Sequence, residues 1–335
     1  NTRTCGIYNG ATEGLDYETG KLTITGGTFT GIYGKSATLL KTAKNQGKIS
    51  VSGGNFWEKF DESFLAEGYA FEENYDTGYD VVKIDQQVVA QIGDKTYSTL
   101  ENAISAAKDG DTITVLQDLT AKAGIFCWSN LTIDLNGKKI TVAGENGLVS
   151  GNLTIKDSVG NGKIESTKSL NVSGEAAKII LESGTINVSN DYGIYAKNGG
   201  TVVINGGTVT SLYAPLTGNN TTGNMNFTVN GGTLTAQKGP AIYMPGQTNL
   251  TVTGGALNGG ISLRMGTVKI SGGTINAVTE NIDKPNEYYN YSGNAWLPDA
   301  LYVFGGTYTS ASGNDLNLQI TGGTFNCSNG QGSAV

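Results

Sequence analysis

The sequence predicts an all-β fold, a right-handed parallel β-helix, and three observations support this prediction. First, a short core recurs in which apolar residues alternate with others, a glycine pair follows, and a further apolar residue opens a second strand. Second, the cores recur every 17–27 residues or so, a spacing typical of a solenoid with one rung per repeat. Third, 50 glycines against 5 prolines suit a chain that turns tightly at every corner. The clearest cores are VVINGGTV (202–209), FTVNGGTL (227–234), LTVTGGAL (250–257), VKISGGTI (268–275), LYVFGGTY (301–308) and LQITGGTF (318–325).

The composition argues against several classes of function. The formal net charge is −7 and only two arginines occur, Arg3 and Arg264, so a nucleic-acid partner is not expected. No apolar run approaches the ~20 residues of a membrane span, so no membrane insertion is expected in this segment. The absence of histidine removes histidine-based acid–base catalysis, the usual nucleophile pairs and most zinc sites. We therefore expect no cofactor and no bound metal.

Residues 1–56 are predicted to be β-helix rungs, because they contain the cores LTITGGTF (22–29) and ISVSGGNF (49–56). Residues 57–86 are acidic and aromatic and lack a glycine pair, so we interpret them as a C-terminal-type cap that covers open strand edges. Asp61 is the expected N-cap of a short turn in this cap. A hairpin is expected after it, because apolar residues alternate at Tyr69, Phe71, Tyr79 and Val81.

Residues 87–120 are predicted to form an N-terminal-type cap with one short helix near 98–109. Ser98 and Glu101 fit a capping box, in which two side chains satisfy the free N–H groups at a helix start. The apolar residues between Ser98 and Gly110 fall on one helical face. Such a helix is expected to close the first rung of a β-helix.

Residues 121–335 are predicted to form the main rungs, with nine cores between residues 131 and 325. The long departure from the repeat is an aromatic loop at 279–300. In one interpretation its rings stack on the sugars of a bound glycan; in the other, the loop folds onto the rod and buries its own rings. The first three cores are degenerate: LTIDLNGKKI (131–140), LTIKDSVGNGKI (153–164) and IILESGTI (179–186). The aromatic residues of the loop are Tyr288, Tyr289, Tyr291 and Trp296.

Two stretches of the chain resemble a known family. VAQIGDKTYSTLENAISAAKDGDTITVLQD followed by LTIDLNGKKI resembles the start of pectate-lyase-like parallel β-helix modules in long surface proteins of gut Gram-positive bacteria. GGNFWEKFDESFLAEGYAFEENYDTGYDVV is similar to the end of such a module. The resemblance covers residues 49–140 and implies a cell-surface location and an adhesion-like role. It implies no catalytic residue, because caps and rungs define the family.

A charged column is the nearest approach to a catalytic site. Asp134, Lys156 and Glu182 each follow the last apolar residue of a strand on successive rungs, so stacking should place them in one ladder. Polysaccharide lyases of this fold use carboxylates that bind Ca²⁺ and a basic residue that abstracts a proton. Arg264 is the only arginine in the main rod, and its sequence surroundings offer no carboxylate cluster. We expect a surface ladder and no catalytic residue, with a lyase as an alternative.

The predicted parts stand in an unusual order, since the end cap at 57–86 directly precedes the start cap at 87–120. Joining the last residue to the first would give one continuous module of start cap, rungs and end cap. We therefore expect a unit that associates head-to-tail, with copies of itself or with adjacent tandem modules, in an open filament. Cys5 and Cys327 would lie near this joint, either bridged across it or packed as thiols. Cys127 is expected in the core.

The sequence thus predicts a non-enzymatic structural and adhesive segment of a bacterial surface protein. We expect it to be extracellular, at the cell surface or secreted, with copies of itself or adjacent modules as its partners. The first alternative is a carbohydrate-binding module that takes host or dietary glycans through the loop at 279–300. The second alternative is a polysaccharide lyase.

Overall fold

The computed structural model confirms the mainly β fold: it is 57% strand and contains a single short α-helix in the part of the chain that it describes. Its contacts divide the chain into two compact units, residues 1–88 with 96–106 and residues 89–95 with 107–335. The described residues are 7–9, 21–29, 39–41, 48–74, 78–83, 88–122, 124–143, 148–149, 151–218, 224–277, 299–303 and 316–327.

The first unit contains two stacked rungs. One rung consists of β1 (Ile7–Asn9), β2 (Lys21–Ile24) and β3 (Thr28–Phe29), and the next of β4 (Leu39–Lys41), β5 (Lys48–Val51) and β6 (Asn55–Phe56). Each strand pairs in parallel with its counterpart: β1 with β4, β2 with β5 and β3 with β6. The two glycine-pair cores of this unit therefore lie directly above one another.

The segment after β6 forms a one-turn 3-10 helix (Glu62–Phe64) and a hairpin of β7 (Tyr69–Asn74) and β8 (Gly78–Lys83). The Asp61 carboxylate accepts the Ser63 N–H at 2.9 Å, so both the predicted N-cap and the predicted hairpin are confirmed. β8 runs antiparallel to β6 and occupies an edge on which a further rung would otherwise pair. The core of the unit is largely aromatic and includes Phe56, Phe60, Phe64 and the partly buried Phe29 and Phe71.

The predicted short helix forms as α1 (Leu100–Ala106), but its N-cap is Thr99 rather than Ser98. Thr99 Oγ1 accepts the Asn102 N–H at 3.1 Å, which satisfies one of the free donors of the first turn. Ser98 instead donates its N–H and its hydroxyl to the carboxylate of Glu72, within the same unit. The capping prediction was wrong because a side chain remote in sequence engages the serine.

The second unit is a parallel β-solenoid of about nine turns, as predicted. Its rungs have three faces, each a stack of parallel strands. In chain order, the strands that follow β8 are β9 (Ala90–Ile92), β10 (Lys95–Tyr97), β11 (Thr112–Val115), β12 (Leu119–Ala121), β13 (Leu131–Asp134), β14 (Lys139–Val142), β15 (Leu148–Val149), β16 (Asn152–Lys156), β17 (Lys163–Ser166), β18 (Leu170–Ser173), β19 (Lys178–Leu181), β20 (Thr185–Val188), β21 (Ile194–Lys197), β22 (Thr201–Ile204), β23 (Thr208–Ser211), β24 (Leu216–Gly218), β25 (Met225–Val229), β26 (Thr233–Ala236), β27 (Ile242–Val252), β28 (Ala256–Asn258), β29 (Ile261–Asn276), β30 (Leu301–Val303) and β31 (Leu316–Asn326).

The first face stacks β11, β13, β16, β19, β22, β25 and parts of the long strands β27, β29 and β31. The second face stacks β12, β14, β17, β20, β23, β26, β28 and the ends of β29 and β31. The third face stacks β15, β18, β21, β24, the starts of β27 and β29, and β30. The predicted alignment of the three degenerate cores is confirmed, because Leu131, Leu153 and Ile179 are register partners.

Columns of apolar side chains fill the interior of the second unit. Because side chains alternate along a strand, every second residue points inward, and register stacks equivalent residues on successive rungs. The clearest column lies on the first face and is fully buried: Ile133, Ile155, Leu181, Ile204, Val229, Val252 and Ile270.

One predicted core was assigned to the wrong face. Leu301–Val303 stacks on Ile261–Leu263 of the third face, whereas the strand above Val268 is that of Leu318. The nine first-face strands therefore include Thr112–Val115 and exclude Leu301–Val303. Apolar alternation identifies a strand, but it does not say which of three faces the strand joins.

Candidate functional site

Two rungs are paired on one side only in the described residues. The tail rung, residues 316–327, pairs with β29 beneath it. The head rung, residues 21–29, pairs with β5 and β6 of the next rung. An open strand edge presents backbone N–H and C=O groups that can pair with a further strand. Each of these two rungs therefore offers an edge on which another rung can be added.

The tail rung exposes apolar side chains at positions where the rungs beneath it have buried ones. Ile320 is 39% exposed, whereas its register partner Ile270 is fully buried. Phe325 is half-buried, and its partner Ile275 is fully buried. Covering such surface is favourable by about 25 cal/mol per Å², so the open rung favours a partner that continues the column.

The head and tail rungs carry almost the same core. LTITGGTF (22–29) and LQITGGTF (318–325) differ at one position, where Thr23 stands in place of Gln319. Both residues lie between the apolar positions of their strand and so face outward. A rung with the head sequence placed on the tail rung would therefore continue every inward column with the same residue type.

The first glycine of each pair is required by the rung beneath it. A Cβ on Gly231 would lie 2.6 Å from the carbonyl oxygen of Asn205, and a Cβ on Gly322 would lie 2.5 Å from that of Ser271. Gly26 is the exception, because a Cβ there meets nothing within 4 Å, and its φ is not in the left-handed region. Within the described residues, Gly26 has no steric reason to be glycine.

The predicted charged column is present and continues as a polar ladder. Lys156 Nζ lies 3.5 Å from Asp134 Oδ2, across one rung. Glu182 accepts a hydrogen bond from Asn205 Nδ2 at 2.8 Å, and Asn230 Nδ2 donates to Asn205 Oδ1 at 2.8 Å on the next rung. These contacts link the outer surfaces of successive rungs.

Asp134 is held in its ionised form by the turn that it caps. Burial acts to raise its pKa, but the N–H donors of Ser158 and Asn136, each 3.0 Å from Oδ1, and the Lys156 ammonium outweigh burial. The pKa of Asp134 therefore lies below its ordinary value. A carboxylate engaged in this way shapes a turn and is a poor proton acceptor. No group of three or more Cys, Asp or Glu side chains that could hold a metal ion is found in the described part of the chain.

A cluster of tyrosines covers the third face of the second unit. Tyr195, Thr217, Tyr243, Ser262 and Tyr302 are successive register partners there. They alternate with inward-facing apolar residues and therefore point away from the core. Tyr243 is nevertheless buried, since it packs with Ala214 and with the partly buried rings of Tyr192, Tyr213 and Tyr302.

Three rings of this cluster form what we call the tyrosine platform: Tyr192, Tyr195 and Tyr213. The Tyr192 ring contacts Tyr195 edge-on with centroids 5.8 Å apart, and it contacts Tyr213 at 5.5 Å and a 47° tilt. All three side chains are half-buried, so parts of their rings meet solvent. Lys197 Nζ lies 4.9 Å from the centre of the Tyr195 ring.

The phenol groups of Tyr192 and Tyr195 stay protonated over a wide pH range. Burial, with smaller contributions from neighbouring tyrosines and Asp191, raises the pKa of Tyr192 to about 12. Burial followed by Asp191 also raises the pKa of Tyr195. Neutral phenols can both donate and accept hydrogen bonds. The sequence analysis missed this cluster because its grouping depends on the register between rungs, which no local pattern shows.

The structure does not test the predicted roles of the loop tyrosines, Trp296, Cys5 and Cys327. Tyr288, Tyr289, Tyr291, Trp296 and Cys5 lie outside the described residues. Cys327 is half-buried and directly follows β31 in the tail rung, and Arg264 lies on β29, one residue after the third-face segment. Cys127 is buried as expected; its Sγ donates to the Ser129 carbonyl at 2.8 Å, and burial raises the pKa of the thiol.

None of the helices in the described part of the chain has the length and apolar character needed to cross a membrane. Comparison of the chain with protein-family models, with curated proteins and with solved structures finds no match.

Proposed function

We propose that the chain is a non-enzymatic structural and adhesive segment of a bacterial surface protein, a β-helix stalk or fibre repeat that associates end to end. It belongs outside the cell, at the surface or secreted, and resembles the pectate-lyase-like β-helix modules of Gram-positive surface proteins. Its partner at each end is another copy of the chain or the adjacent module of a tandem array. No catalytic residue is assigned to it.

Gly26 carries this proposal. On each rung the first glycine of the pair faces a carbonyl oxygen of the rung beneath, as Gly322 faces Ser271 and Gly53 faces Thr25. If the tail rung of a neighbour lay beneath the head rung, the same geometry would bring the carbonyl of the neighbour's Thr321 to Gly26. The joint would then explain why glycine stands at position 26, where the chain itself leaves room for a side chain.

The predicted alternatives have less support. Glycan binding through the loop at 279–300 stays a prediction, because its aromatic residues lie outside the described ones. A lyase activity would require a free base and a Ca²⁺ site. Asp134, the buried member of the charged column, is already engaged by two N–H groups and Lys156. Incubation with uronate polymers and Ca²⁺, followed by absorbance of the unsaturated product, tests that alternative.

Sedimentation velocity of three variants tests the end-on joint. Gly26→Ala should block the head rung, because its Cβ would overlap a carbonyl oxygen of the neighbour. Ile320→Asp should block the tail rung by placing a charge in the apolar column. Gly26→Ala alone and Ile320→Asp alone should remain monomeric at concentrations where the unaltered chain forms long assemblies. The third variant, Thr23→Ala, is an exposed change on the head rung and should assemble normally.

A mixture of the two blocked variants provides the decisive control. Gly26→Ala retains an intact tail, and Ile320→Asp retains an intact head, so one joint can form between them. The equimolar mixture should give dimers and nothing longer. Equal assembly of all the variants, or a monomeric unaltered chain at high concentration, would contradict the proposal.

A further inference from the structure

The third face differs from the other two in what it presents to solvent. Most outward positions on the first and second faces carry polar or charged residues, such as Thr154, Glu165 and Asn187, and the aliphatic Ile180 and Val203 are exceptions. The equivalent positions on the third face include Tyr195 and Tyr302. Stacking of rungs needs apolar residues only on the inward side, so the fold does not account for outward aromatic rings.

The tyrosine platform combines ring surface with hydrogen-bonding groups. Beside the half-buried rings lie the exposed ammonium of Lys197 and the carboxylate of Asp191. The Asp191 oxygens accept the N–H groups of Tyr192 at 2.8 Å and Ser169 at 3.3 Å. A carboxylate offers about four acceptor sites, so it can also accept hydrogen bonds from a ligand.

We propose that the tyrosine platform of the third face binds an oligosaccharide, with pyranose rings stacked on Tyr195 and Tyr213. A pyranose presents an apolar C–H face together with a rim of hydroxyl groups, and this combination matches exposed tyrosine rings flanked by Asp191 and Lys197. A purely apolar ligand would leave the charged groups without partners, which is costly when they are desolvated. The proposal is independent of end-on assembly, because none of these residues lies on the head or tail rung.

The spacing of the column favours an extended chain of sugars over a single one. Tyr195, Tyr243 and Tyr302 are each two rungs apart, with Thr217 and Ser262 between them. Two rungs correspond to roughly 10 Å at the usual strand separation. The Ser262 hydroxyl is buried and has no hydrogen-bond partner, whereas the Thr217 hydroxyl donates to the Tyr243 carbonyl at 2.8 Å. The residues between Tyr195 and Tyr302 are buried, so a ligand that starts on the platform and spans the column would contact it at these two tyrosines.

Isothermal titration calorimetry with cellohexaose, xylohexaose, mannohexaose, chitohexaose and hexagalacturonic acid tests this inference. The unaltered chain should bind at least one of these probes. Tyr195→Ala and Tyr213→Ala should each weaken that binding by about tenfold, as expected for loss of an aromatic contact. Tyr195→Phe keeps the ring and should retain most of the affinity, which also separates loss of contact from loss of folding.

Two controls identify the site. Trp128→Ala removes a 72% exposed aromatic ring outside the platform and should bind as the unaltered chain does. The double variant Tyr288→Ala/Trp296→Ala should also bind normally. The inference is overturned if no probe binds, if both platform alanine variants bind with unchanged affinity, or if only the double variant loses binding. The last result would place the glycan on the loop at 279–300.

Discussion

At the turns that carry a glycine pair, two rungs can stack closely because glycine has no Cβ. The glycine pair has two separate causes. The first glycine leaves room for a carbonyl oxygen of the rung beneath, as at Gly231, and the second adopts a positive φ, +78° at Gly232. Other residues adopt that backbone conformation only with strain. The glycine pair therefore marks, in the sequence, the turns at which one rung lies on another.

Gly231→Ala and Gly26→Ala should therefore differ in their effect on stability. In Gly231→Ala the new methyl overlaps the Asn205 carbonyl, and we expect the free energy of unfolding to fall by about 1–3 kcal/mol. In Gly26→Ala the methyl enters open space, and the change should stay below about 0.5 kcal/mol. Thermal unfolding followed by circular dichroism, at concentrations too low for assembly, measures both. Equal losses would show that the stacking explanation is wrong.

The polar ladder on the first face acts at the level of the strand and its turn. Asp134 closes the turn after β13 by accepting two N–H groups, and Lys156 on β16 neutralises it. The ladder then passes through Glu182, Asn205 and Asn230 with hydrogen bonds of 2.8 Å. These outward contacts add register specificity to the apolar columns, because a slip of one residue would turn every ladder side chain inward.

Acidification should remove the contribution of Asp134. Its pKa is lower in the folded chain than the ordinary value of about 3.9. The ionised group therefore adds stability above pH ~4, and this stability is lost as pH falls through the folded pKa. The difference in melting temperature between the unaltered chain and Asp134→Asn should shrink between pH 6 and pH 2. Glu182→Gln, at an exposed position of the same ladder, is the matched control. A constant difference for Asp134→Asn would contradict the assignment.

The rung register was predictable, whereas the face of each strand and the tyrosine cluster were not. Apolar alternation and the glycine pair fix which residues stack, so Leu131, Leu153 and Ile179 were aligned correctly. The strand at Leu301 has the same alternation but belongs to the third face, because all three faces bury apolar residues in the same way. The tyrosines were missed because their grouping depends on register between rungs, which no local pattern shows.

At the scale of the whole molecule, the proposed function depends on the open rungs. The head rung and the tail rung share seven of eight core residues, Ile320 is exposed where its partner Ile270 is buried, and Gly26 is left without a neighbour. A joint that continued the solenoid would bury the exposed column and pair both edges. Complementary ends joined repeatedly by the same operation give an open fibre rather than a closed ring, which suits the proposed stalk.

The measurement that tests this joint most directly is an engineered disulfide between copies. In the proposed register Thr23 of one copy lies beside Gln319 of the next, within the ~4.4–6.8 Å Cα separation of a disulfide. In a chain whose Cys5, Cys127 and Cys327 are replaced by serine, Thr23→Cys/Gln319→Cys should form a ladder of multimers on oxidation. The register-shifted pair Thr23→Cys/Thr321→Cys should form no covalent multimers, although its copies still associate. Only monomers from the matched pair, or equal ladders from both, would contradict end-on association in this register.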